Sequence, residues 1–124
     1  MDIAALEALK NEGNGFFRLK QFADAVRVYT TALDRIEICS NGLQDVTAAV
    51  QLDAAIRLNR AWALLEMDDD KQISAAERDC STVLVRDPTC VKALYRRALA
   101  RERLGDIKVF KAARFIYGFG ARLT

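Results

Sequence analysis

The strongest constraint on the fold of this chain is a helical pattern that returns three times around a small residue. The stretches LKNEGNGFF (residues 9–17), LNRAWALLEM (58–67) and VKALYRRALARERLG (91–105) each read as one amphipathic helix. Aligning them on Gly13, Ala61 and Ala98 brings the flanking residues into register. The first unit has Leu9 before the small residue and Phe16 after it, then Ala25, Tyr29 and Ala32 in a partner helix. The second has Leu64, then Ala76, Cys80, Val83 and Pro88. The third keeps Leu94 and Gly105, but its partner helix is degraded. Small residues recur where two helices must touch, and large ones fill the gaps beside them. A unit of this kind cannot bury its apolar face alone, so self-similar units must stack.

The periodicity predicts six helices, at about residues 2–19, 23–39, 46–67, 73–85, 89–104 and 107–117. Asp2 is placed to cap the first, and Gly42 with Asp45 or Thr47 to separate the second from the third. The acidic run Asp68-Asp69-Asp70 reads as a solvated turn, since it lacks the glycine and distal glutamate of a calcium loop. Gly105-Asp106 is expected to end the fifth helix. The sixth then aligns with Val109, Ala113 and Ile116 at the packing positions. No segment alternates like a strand, and Pro88 is the single proline. The expected architecture is all-α: three stacked antiparallel helix hairpins curled into a superhelix, the third degraded and without a full capping helix. The domain spans 1–117, with repeats at about 6–39, 46–88 and 89–117, and residues 118–124 form a tail. Phe110, Phe115, Ile116, Tyr117 and Phe119 leave an apolar strip on the sixth helix, through which self-association is expected.

Composition narrows the function. The chain has 124 residues, 52% hydrophobic and 29% charged, an ordinary globular balance. Its net charge of +2 is too small to imply nucleic acid by itself. There is no histidine, which removes Ser-His-Asp and Cys-His catalysis and histidine zinc sites. Gly13-Asn14-Gly15 is no phosphate loop, because it lies within a helical pattern and lacks a third glycine at the required spacing. These absences predict a protein that is not an enzyme and needs no cofactor or metal. The N-terminus reads as no signal peptide, and no apolar run approaches the ~18 residues of a membrane span. Three cysteines without a CxxC spacing are expected as reduced thiols in a cytoplasmic protein.

The concave face of such a stack is lined by the first helix of each hairpin. There the groove stripe reads Lys10, Asn14, Phe17 and Arg18 in the first unit. It continues with Asn59, Trp62 and Leu65 in the second, and Lys92, Arg96, Leu99 and Arg103 in the third. Cationic and amide donors from three separate helices thus converge on one groove. A pair of carboxylates accepts hydrogen bonds and donates none, so it calls for several donors held in place together. Lysine and arginine supply charge-assisted bonds, and asparagine donates without adding repulsion among the cations.

LKNEGN, LNRAWALL and VKALYRRALARERLG resemble the three groove helices of carboxylate-clamp tetratricopeptide domains. The pattern there is Lys-x-x-x-Asn in the first helix, Asn in the third and Lys-x-x-x-Arg in the fifth. Lys10, Asn14, Asn59, Lys92 and Arg96 match it position by position. The resemblance is nearest to the N-terminal domain of the UCS myosin chaperones, whose myosin-binding part is absent from this chain. It implies a co-chaperone module that binds the C-terminal Glu-Glu-Val-Asp of seventy- and ninety-kilodalton heat-shock chaperones. Those five residues would hold the terminal carboxylate and the last aspartate side chain. Phe17, Trp62, Leu99 and Arg103 would meet ligand residues further upstream. Two other readings compete. One is a helical-repeat RNA binder using Arg57, Arg60, Lys92, Arg96, Arg97, Arg101 and Arg103, disfavoured because these positions differ between repeats. The other is a scaffold for an internal peptide, with no need of a free carboxylate.

Overall fold

The computed structural model describes the backbone of residues 3–39 and 46–117, and the side chains of 3–37 and 46–106. Among the described residues five helices follow one another: α1 (Ile3–Arg18), α2 (Phe22–Cys39), α3 (Val46–Met67), α4 (Asp70–Arg86) and α5 (Val91–Tyr117). Each helix packs on the next, and α3 also touches α1 and α5. The stack therefore has two layers, with α1, α3 and α5 side by side in one and α2 and α4 in the other. The all-α hairpin stack expected from the repeats is what forms. The expected caps at Asp2, Gly42 and Asp45, the tail, and the side chains of Cys39 and of the 107–117 strip lie outside the described residues.

Two clusters make up the core, and α3 contributes to both. Leu6, Ala25, Tyr29, Ala32, Leu33, Ile36, Leu52 and Ile56 fill the first, with Leu9 and Phe16 packed at its edge. Ala61, Leu64, Leu65, Ile73, Ala76, Cys80, Val83 and Ala93 fill the second. Of the positions aligned between the first two repeats, Gly13, Ala25, Tyr29, Ala32, Ala61, Leu64, Ala76, Cys80 and Val83 are buried, Leu9 and Phe16 are half-buried, and Pro88 is exposed. Serving two cores makes α3 apolar on more than one side, as a helix inside a stack must be.

The turns use local chemistry that periodicity does not reveal. Lys20 is left-handed, with φ 60°. The Gln21 N–H reaches the Phe16 carbonyl at 2.9 Å and the Lys20 N–H reaches that of Phe17 at 2.9 Å. This is a Schellman ending with lysine where glycine is usual. In the acidic run, Asp68 takes a left-handed φ of 56°. Asp69 caps α4 by accepting from the Lys71 N–H at 2.9 Å. The expected turn at 68–72 is therefore shorter, and α4 begins at Asp70 rather than Ile73 because Asp69 supplies its cap. Among the described residues no group of acidic, cysteine or histidine side chains is arranged to hold a metal ion.

The third hairpin is the main correction. α5 does not stop at Gly105-Asp106; it continues to Tyr117 as one helix of 27 residues, about 40 Å long. A lone glycine costs a helix interior only ~1 kcal/mol, too little to end it without a proline or a cap to take up the freed carbonyls. A Cβ at Gly105 would meet nothing within 4 Å, so no close packing requires glycine there. With no sixth helix folded back, the face of α5 that should have been covered is open. Val91 is 77% exposed, Tyr95 61% and Leu94 41%, and Ala98, expected in a helix contact, is exposed as well. Among the described residues the stack is two complete hairpins followed by α5, which has no partner helix after it.

Candidate functional site

The groove begins with an atom that is missing. A Cβ on Gly13 would lie 2.4 Å from the Tyr29 ring, so glycine lets that ring pack directly on the α1 backbone. Tyr29 is 1% exposed, and its hydroxyl emerges beside Asn14, the next residue along α1. The Tyr29 Oη donates to Asn14 Oδ1 at 2.5 Å. From α3, the Asn59 Nδ2 donates to the same oxygen at 3.0 Å. Burial pushes the Tyr29 hydroxyl up to about 12, with Arg18 pulling the other way, so it is a neutral donor at any ordinary pH.

The opposite wall is Arg96. Its Nη1 donates to the backbone carbonyl of Leu58 at 2.9 Å, and its guanidinium lies 5.0 Å from the centre of the Trp62 ring. Burial lowers its pKa from the ordinary value, with Cys80 and Cys90 opposing, yet an arginine stays charged after any such shift. One guanidinium N–H is engaged on Leu58, and the group's orientation is set by that bond and by the indole face. Two turns along α5, Arg103 repeats the reach, donating to the Leu65 carbonyl at 2.8 Å. The two arginines strap α5 to α3.

Asn14, Phe17, Arg18, Tyr29, Asn59, Trp62 and Arg96 line one concavity of about 330 Å³. Three of the five expected clamp residues, one each from α1, α3 and α5, are therefore brought together. Lys10 and Lys92 do not line it. Each stands one helical turn before its partner, half-buried Lys10 before Asn14 and exposed Lys92 before Arg96. Neither makes an ion pair or hydrogen bond among the described residues. Phe17 and Trp62 are in the lining, and Phe17 meets Phe22 edge to face at 5.3 Å. Leu99 packs instead against the second core, and Arg103 is occupied by Leu65. Tyr29, which the repeat pattern places at a packing position, also lines the concavity, and its hydroxyl has no signature in helical periodicity.

A second concavity, about 380 Å³, opens between α2, α3 and α4 and includes Thr30, Arg57, Arg60, Arg78 and Asp79. It is richer in arginine, but its inner cations are already paired. Asp79, 4% exposed, takes two hydrogen bonds from Arg60 at 2.8 and 2.6 Å and lies 3.6 Å from Arg57. Arg57 also pairs with Asp53 at 2.8 Å, and Arg60 donates to Thr30 at 3.1 Å. Hydrogen bonding to Asp79 raises the pKa of the Arg60 guanidinium above its ordinary value against the pull of burial. With Arg101 on Glu77 and Arg103 near Asp68 at 3.9 Å, four of the seven residues of the RNA reading are paired with carboxylates inside the fold.

Comparison with known proteins agrees with a repeat domain. The chain is 32% identical over 103 residues to the mitochondrial import receptor subunit TOM70 of Homo sapiens, covering 82% of this chain and 15% of that protein. It is 34% identical over 107 residues to peptidyl-prolyl cis-trans isomerase D of Eremothecium gossypii, covering 84% and 29%. It is 30% identical over 99 residues to the unc-45 homolog B of Xenopus tropicalis, covering 80% and 9%. No family model matches the chain, and no solved structure gives a significant match. The chain thus spans less than a third of the length of these relatives. Together with the two aligned hairpins, these similarities are consistent with a tetratricopeptide-type domain.

Proposed function

We propose that this chain is the peptide-binding module of a cytoplasmic co-chaperone. Its ligand is the C-terminal Glu-Glu-Val-Asp of a seventy- or ninety-kilodalton heat-shock chaperone. The observation that carries the reading is the meeting of Asn14, Asn59 and Arg96, from three helices, in one concavity with an aromatic side. Lys10 and Lys92, one helical turn before Asn14 and Arg96, make no ion pair among the described residues. A doubly charged C-terminal aspartate needs this supply of donors. Rigid helices hold the donors in place before the ligand arrives, which limits the entropy lost on binding. The module works by binding, without chemistry of its own.

The test compares three ligands on the whole chain: a Glu-Glu-Val-Asp peptide with a free C-terminus, the same peptide amidated, and an RNA of equal length. The free acid should bind at around micromolar, roughly −8 kcal/mol. The amide should bind about ten- to a hundredfold more weakly. Equal binding of acid and amide would sink the carboxylate reading and favour an internal-peptide scaffold. Tighter RNA binding with a steep salt dependence would favour the nucleic-acid reading.

A further inference from the structure

We infer that Tyr29 is a positioning residue of the groove, its hydroxyl holding the Asn14 carbonyl oxygen inward so that the Asn14 amide N–H groups face the ligand. The inference rests on the reading of the groove as an anion-binding peptide site, and adds what decides the sign of one of its walls. A primary amide has one acceptor oxygen and one NH2 donor, and the hydrogen-bond network alone determines which is presented. Here the oxygen already receives two donors, Tyr29 Oη at 2.5 Å and Asn59 Nδ2 at 3.0 Å. An amide so held shows its NH2 to the concavity, where a carboxylate can accept.

The reverse orientation fails because of Tyr29 alone. If Asn14 turned over, its NH2 would face the tyrosine oxygen, and Asn59 could answer by turning its own amide over. Each asparagine would still be satisfied. The tyrosine proton would not. Asn14 Oδ1 is its only acceptor among the described hydrogen bonds, and a buried donor left without a partner is costly. No buried side-chain polar atom among the described residues lacks a partner in the orientation that is present. Asn59 can adapt to either state, so the hydroxyl breaks the tie. Gly13 belongs to the same device, since any side chain there would displace the ring that carries the hydroxyl.

The experiment follows the Asn14 side-chain amide by nuclear magnetic resonance in the whole chain, with Tyr29→Phe as the variant. Tyr29→Phe keeps the ring and removes only the hydroxyl. In the free protein it should shift and broaden the Asn14 NH2 signals as two orientations exchange. Affinity for the free-acid peptide should fall roughly two- to fivefold, the factor by which the competent orientation is depleted. In an Asn14→Ala background, Tyr29→Phe should change affinity no further. A merely structural tyrosine would cost the same in both backgrounds, and that result overturns the inference. In the unaltered protein the Asn14 NH2 signals should move on adding the peptide; unmoved signals while peptide binds overturn it independently of any variant. If the peptide does not bind at all, the reading of the groove fails. The Asn14 signals of the free Tyr29→Phe protein then still decide the orientation.

Discussion

Two groups of basic side chains flank α3, one between α2 and α4 and the other between α1 and α5. They differ in what they are bonded to. On the α4 side, Arg57 and Arg60 close on Asp53 and Asp79, and the cluster is internally complete. On the α5 side, Arg96 is fixed by a neutral carbonyl and an indole ring, and the lysines beyond it have no acidic partner among the described residues. Charge density alone would have chosen the first cluster. Unused donor capacity chooses the second. A binding site for an anion is recognised by what its cations have left to do, since cations paired inside the fold have little to offer a ligand.

This contrast can be broken from either side. The largest effect belongs to the complete cluster. Replacing Asp79 by alanine leaves Arg60 and Arg57 without their shared buried acid, which should destabilise the fold by ~3–5 kcal/mol. Chemical denaturation measures it. Peptide affinity of the molecules still folded should be nearly unchanged, and a matching loss of affinity would mean the two clusters are one.

The next effect is alkaline and reports on both sides of α3. Burial pushes the Tyr29 hydroxyl from 10.0 up to about 12. Burial, helped by Asp79, pushes the Cys80 thiol from 9.0 up to about 11. In each case the unfolded chain gives up its proton first, so the stabilisation is complete below the unfolded pKa and is lost as pH rises through the folded one. Stability should therefore fall between about pH 9 and 12, by up to ~2–3 kcal/mol for each group. Cys80→Ala should flatten the lower part of that fall and Tyr29→Phe the upper part.

Smaller, and confined to the open cluster, is the loss of Arg96. Arg96→Ala should weaken the free-acid peptide by ~1.5–3 kcal/mol and loosen α5 on α3 by removing the strap to Leu58. Lys92→Ala removes an edge cation without a strap, so it should reduce affinity alone. Calorimetric binding combined with thermal melting separates the two. The smallest expected change lies outside both clusters: Lys20→Gly should raise stability by ~1 kcal/mol, because a left-handed backbone burdens every residue but glycine. A loss of stability there would overturn the Schellman assignment.

Much of this arrangement was legible before any coordinates. Gly13, Ala61, Ala76 and Cys80 could be placed because close packing restricts residue size at fixed helical spacing. Asn14, Asn59 and Arg96 could be gathered because residues in register on stacked helices share a face. What escaped was set by contacts between elements. Nothing in the spacing of Arg96 shows that it reaches the Leu58 carbonyl, or that Tyr29 ends on Asn14 rather than simply filling space. Gly105 misled for a related reason. A glycine is a helix stop only when the following chain can satisfy the freed carbonyls, and composition does not carry that information.

The open face of α5 has a consequence for how the molecule comes apart. In a stack where each helix draws its stability from its neighbours, a helix with one side unpaired opens first and most often. Arg96 sits on that helix, while Asn14 and Asn59 belong to the better-packed hairpins. A peptide bridging them would fasten the weakest rung of the ladder to the strongest. Its binding should be felt mainly as slower hydrogen exchange along α5, with the first hairpin scarcely altered.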